Sequence, residues 1–134
     1  MPDVNTYDLH PSLQPLYFRL VGDLALKGIQ ARIIQGWRDP AYQERLVAAG
    51  ISTVHAFHDS HCFTIDGQPA SRAFDLGVFD DNWTKYIVDG KDPRYACAGA
   101  LWEQYAQELP ALGIVWGGRF VHPKPDWDHF SIEV

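Results

Sequence analysis

Clustered positive charge is missing from this sequence. Its 11 Lys and Arg stand against 17 Asp and Glu, a net charge of −6, and no stretch gathers the cations into a run. That balance argues against a general nucleic-acid binder and against electrostatic attachment to an anionic membrane. Long apolar runs are missing too, since nothing approaches the ~18 consecutive apolar residues of a membrane span. The first residues, Met-Pro-Asp-Val-Asn-Thr-Tyr-Asp, supply neither the basic nor the apolar part of a signal peptide. Cysteine is scarce: Cys62 and Cys97 allow one bridge at most, which excludes a disulfide framework and suits a reduced cytosolic chain. Internal repeats, linkers and low-complexity stretches are absent as well.

What remains is a chain of 134 residues, 46% hydrophobic, with 5 Trp, 6 Tyr and 7 Phe, enough for one real core and no second. Leu13, Leu16, Tyr17, Leu20, Val21 and Leu24 follow helical spacing up to Gly28. The β-branched run Ile29 to Ile34 reads as a strand. Asp39-Pro40 and Asp92-Pro93 each combine an N-cap with proline at the first helical position, predicting helices over 40–49 and from 93 toward Leu109. Residues 51–72 read mainly as loop. Strands are predicted at 72–79, with Asp75 on the face opposite Phe74, Leu76 and Val78, then at 114–116 and 130–134. The expected fold is α+β: a small single domain over 1–134, a few helices packed on a short, mainly antiparallel sheet.

Residues capable of holding a metal are unevenly spread. His55, His58 and His61 precede the Asp75 strand, Asp126, Asp128 and His129 precede the last strand, and His10 and His122 stand apart. A hydrolytic zinc site takes three ligands from His and carboxylate and keeps one position for water. A further carboxylate can then serve as general base. Spacing alone does not choose among the histidines, and three of them at three-residue intervals also describe a solvated loop.

Five segments occur in order: Gly36-Trp-Arg-Asp-Pro-Ala-Tyr-Gln43, Ser60-His61, Ala73-Phe-Asp75, Trp116-Gly-Gly118 and Asp126-Trp-Asp-His-Phe130. From about Ile33 to Phe130 the chain resembles the zinc peptidases that cut peptidoglycan stem peptides. That family includes D-Ala-D-Ala carboxypeptidases and dipeptidases and the phage L-alanyl-D-glutamate endolysins, and the likeness is strongest to the small phage enzymes. The resemblance implies a Zn²⁺ site of His61, Asp75 and His129, with Asp126 as general base. It implies Arg38 at the substrate or the developing oxyanion, and Gln43 orienting substrate or nearby loops. Trp127, beside the last motif, is expected to line the cleft, although packing explains it equally well.

One departure from the family stands out. The common pattern has a shorter interval between its first His and its Asp, whereas His61 and Asp75 stand fourteen positions apart. The extra residues read as an inserted hairpin turning at Asp66-Gly67, which leaves His58 as an alternative ligand to the favoured His61. Plainer roles are also open. Asp126 suits a turn cap, Arg38 an ion pair with Asp39 or Glu44, and Cys62 points away from the ligands by alternation. Asp128, if on a strand beside His129, faces the other way. The implied activity is zinc-dependent hydrolysis of the peptidoglycan stem peptide, at the L-Ala–D-Glu bond. D-Ala-D-Ala carboxypeptidase action, or a wall-binding or virion module without turnover, are the alternatives. The expected protein is a monomer without nucleic-acid partner, membrane insertion or separate wall-binding domain, held in the host cytoplasm until released to the wall.

Overall fold

A seven-residue strand, Ala73–Phe79 (β4 in chain order), runs through the middle of the protein and organises everything else. The computed structural model describes residues 4–56, 59–122 and 124–134. Among them are three α-helices, α1 (Gln14–Leu26), α2 (Pro40–Ala48) and α3 (Pro93–Glu108). The remaining strands are β1 (Gln30–Gln35), β2 (Thr64–Ile65), β3 (Gln68–Pro69), β5 (Tyr86–Ile87), β6 (Val115–Trp116) and β7 (His129–Ser131). The main sheet is antiparallel in the order β1-β4-β7-β6, with β5 pairing the end of β4.

The alternation of β4 separates packing from chemistry. Phe74, Leu76 and Val78 are fully buried in the core with Leu16, Leu20 and Leu24 of α1 and Ala98, Trp102 and Tyr105 of α3. Phe74 stacks on Phe130 of β7 and meets Trp102 edge-on, so aromatic packing locks β4, β7 and α3 together. The opposite face of β4 carries Asp75, whose register partners are His129 on β7 and Gln35 on β1.

The α+β architecture agrees with the sequence, and the helix starts do so residue by residue. Asp39 accepts hydrogen bonds from the amides of Ala41 and Tyr42, Asp92 from that of Arg94, and proline follows each cap. The inserted hairpin is present as the β2–β3 pair, and both Asp66 and Gly67 adopt the positive φ that a tight two-residue turn demands. Two differences emerge. The last strand covers His129–Ser131 instead of 130–134, because the amides of Ile132 and Glu133 leave the ladder for the carbonyls of Arg72 and Leu112. The pair Tyr86–Ile87 gave no strand signal; its two residues gain their strand character from the edge of β4.

Candidate metal centre and cleft

Three candidate ligands converge on the Asp75 face of β4. His61 lies in the 3-10 turn Ser60–Cys62, which Asp59 caps by accepting from the His61 amide at 2.9 Å. His61 is buried, and its Nδ1–H donates to the carbonyl oxygen of Gly36 at 2.8 Å. That bond fixes the tautomer and leaves Nε2 facing Asp75 Oδ1 at 3.4 Å. From the other side His129 brings Nδ1 within 3.8 Å of the same oxygen. One donor atom from each of His61, Asp75 and His129 lies within 4.8 Å of the others. The favoured ligand set from the sequence is therefore assembled in space, while its alternative His58 lies outside the described residues.

The electrostatics fit a divalent cation. The two imidazoles hold the Asp75 carboxyl well below the ordinary carboxylate range despite its burial. Burial alone would lower the pKa of His61, but the hydrogen bond and charge of Asp75 outweigh it and raise the value above 6.5. A His–Asp–His donor set, with one imidazole pre-oriented by a backbone carbonyl, matches a zinc-type site.

The last motif is positioned by a turn. The Asp126 carbonyl accepts from the His129 amide at 3.2 Å, and the Asp126 amide donates to the Gly117 carbonyl at 2.8 Å. Gly117 is required there: a Cβ would sit 2.3 Å from the Asp126 carbonyl oxygen and 2.8 Å from His129 Cβ. The same turn corrects the expectation for Asp128, which is not on a strand. Its carboxyl is pushed up to about 8, first by burial, then by a hydrogen bond shared with Asp126 and by the charge of Asp75. Asp126 itself is exposed at the rim.

The centre opens into a cleft of about 510 Å³ lined by Arg38, Asp59, Asp126 and the three ligands, with Phe120, His122 and Lys124 toward its mouth. Arg38 Nη1 donates to Gln43 Oε1 at 2.7 Å and lies 3.5 Å from Asp59 Oδ2, so its ion-pair partner is Asp59 and not Asp39 or Glu44. Its Nε is buried without a hydrogen-bond partner among the described residues. Gln43 does not reach the cleft: it is fully buried, and its amide nitrogen donates to Ser52 Oγ and the Val54 carbonyl. It orients loops and Arg38, and its burial excludes contact with a substrate. Trp127 is likewise kept from this cleft, because it packs on Trp116 and Gly90 and faces a neighbouring depression. Cys62 is buried, with its thiol pushed up to about 12 by burial, and it is not part of the His–Asp–His cluster.

Asp59 and Lys124 are cleft residues that sequence reasoning passed over, and His122, which stood apart in the sequence, joins them there. Asp59 carried a signal, a capping aspartate two residues before His61; Lys124 carried none.

The class that fold and site define is a small α+β domain with a His–Asp–His metal-type centre on the open face of its sheet. No protein-family model matches the chain, and no curated protein matches it. Among solved structures, the fold is similar to that of the L-Ala D-Glu endopeptidase ChiX of Serratia marcescens. The TM-score is 0.66 at 23% identity, over 96% of this chain and 84% of that one.

Proposed function

We propose that this protein is a zinc-dependent peptidoglycan endopeptidase that cleaves the L-Ala–D-Glu bond of the stem peptide and serves as a phage-type lysis enzyme at the bacterial wall. The observation that carries the reading is the convergence of His61, Asp75 and His129 at the floor of a cleft whose rim bears Asp126. The likeness in fold to ChiX supports the choice of substrate. A divalent ion held by the three ligands would supply Lewis acidity and a water of lowered pKa.

The chain's own groups do the rest. Asp126 is the base that takes a proton from the attacking water and returns it to the leaving amine. Arg38, steadied by Gln43 and Asp59, donates to the oxygen on which negative charge develops. The chain is acidic overall, yet Arg38, His122 and Lys124 bring donors to the cleft, which suits a substrate carrying the carboxylates of D-glutamate. Mass spectrometry of muropeptides after incubation with the zinc-loaded protein tests the reading. New L-alanine C-termini are expected; release of D-alanine instead would assign a carboxypeptidase, and unchanged muropeptides would leave a binding module.

A further inference from the structure

The loop between β4 and β5 carries a tryptophan in a conformation that needs explaining. Trp83 has φ +59, a left-handed backbone that costs a bulky residue of the order of 1 kcal/mol. The loop is built to hold it. Asp80 accepts from the Thr84 amide and hydroxyl and from the Lys85 amide, while the Trp83 amide donates to the Asp80 carbonyl. The indole leans on Phe79 with ring centres 5.4 Å apart, yet remains 47% exposed. Tyr86 packs on the same Phe79 ring at 5.6 Å and is 38% exposed. Trp83 and Tyr86 thus form an open aromatic shelf seated on the buried Phe79, whose ring also holds the Arg32 guanidinium at 4.8 Å.

The shelf reaches the surroundings of the cleft through Tyr86. Phe79 shares the Asp75 face of β4, four residues along, or ~13 Å at the strand rise. Tyr86 lines the depression that borders the cleft at Pro125 and Asp126. We infer that this shelf is a saccharide subsite that stacks a pyranose ring of the wall glycan. The inference rests on the peptidoglycan reading above. In that substrate one alanine and one lactyl unit separate the scissile bond from the sugar. At ~3.5 Å for each unit the ring begins about 7 Å from the bond, within the ~13 Å that separates Asp75 from Phe79 along β4.

The chemistry of the surface fits a sugar. The C–H face of a pyranose is apolar and slightly positive, which matches the negative face of an indole. Exposed Asp81 and Asn82 beside Trp83 offer acceptors and an amide to hydroxyl and N-acetyl groups. A chain of net charge −6 gains little from long-range attraction to an anionic wall, so an uncharged stacking contact would add to what the cleft's few cations supply.

Calorimetric titration with the peptide-free disaccharide N-acetylglucosaminyl-N-acetylmuramic acid tests the shelf without any turnover. Wild-type protein should bind it, and Trp83→Ala should weaken binding about tenfold, with partial recovery in Trp83→Phe. Trp83→Gly, which relieves the positive φ, should fold at least as well and bind as weakly as Trp83→Ala. In turnover, Trp83→Ala should raise KM for the disaccharide-bearing peptide and leave a sugar-free L-Ala–D-Glu peptide unchanged. Absent binding, or binding untouched by Trp83→Gly, overturns the inference, as does a dimer that this substitution dissolves. Saccharide binding without cleavage of either peptide would keep the shelf and overturn the endopeptidase reading alone.

Discussion

Gln43 never meets solvent, yet its amide oxygen accepts a 2.7 Å hydrogen bond from Arg38 Nη1 and so sets the direction of a cleft-lining guanidinium. Its amide nitrogen meanwhile ties down Ser52 and the Val54 carbonyl, on the cleft's other wall. Gln43→Ala removes all three part-buried hydrogen bonds and leaves a cavity where the fully buried amide sat. Urea denaturation should show a loss of about 2–3 kcal/mol, and turnover should fall because Arg38 loses its brace. Metal content should stay unchanged, since no ligand is touched.

Separating ligands from base is the next expectation. Alanine at His61, Asp75 or His129 should abolish stoichiometric zinc, read by elemental analysis of the purified protein. Asp126→Ala should keep the zinc and lose turnover by about 10²-fold or more. Full activity in that variant would remove Asp126 from the chemistry.

The metal-free protein should have a pH window of stability. Asp75, depressed below its ordinary 3.8, stabilises the fold above that value and loses its contribution as pH falls below it. His61, raised above 6.5, stabilises below 6.5 and loses its contribution as pH rises through its folded-state value. Asp128, raised to about 8, works against the folded state progressively as pH rises from about 3.8 toward 8. Thermal melts of the metal-free protein should therefore peak near the acidic end, at roughly pH 4 to 5, and decline toward pH 8. Zinc displaces the protons, so the loaded protein should keep its Tm above that window, and apparent zinc affinity should fall on acidification. Asp75→Asn should flatten the metal-free profile.

Gly117 is a steric requirement of the site and not of the core. Gly117→Ala forces a methyl against the Asp126 carbonyl and His129. A loss of about 1–3 kcal/mol is expected, together with weaker zinc binding, because the displaced turn carries both the proposed ligand His129 and the proposed base Asp126. A variant with normal zinc affinity would show that the turn accommodates the methyl elsewhere.

Much of this fold was legible in the sequence because its punctuation is local. Asp39-Pro40 and Asp92-Pro93 are caps whose meaning does not depend on the rest of the chain, and the alternation through 73–79 records one core face and one open face. The ligands His61, Asp75 and His129 could be ordered only through the resemblance; three-residue histidine spacing says nothing about which ring a distant Gly36 carbonyl will hold. For Gln43 and Trp127 the sequence left two roles open, loop orientation or packing on the one hand and substrate contact on the other, and the structure shows the first of each. Adjacency to a motif is a sequence property, whereas burial depends on which side of a helix or turn the core lies. Tyr86–Ile87 was invisible because two residues paired to the edge of β4 carry no periodicity of their own.

The place of Asp75 in the middle of β4 has a consequence for the lifetime of a bound ion. With β1 hydrogen-bonded on one side and β7 on the other, exposing that segment means breaking the sheet in two places and pulling Phe74 and Leu76 from the core. Hydrogen exchange at residues 74–76 should be among the slowest in the molecule, close to the limit set by global unfolding. Asp75 cannot leave the centre by fraying, so local opening there has to come from the turn that carries His61 and the strand end that carries His129.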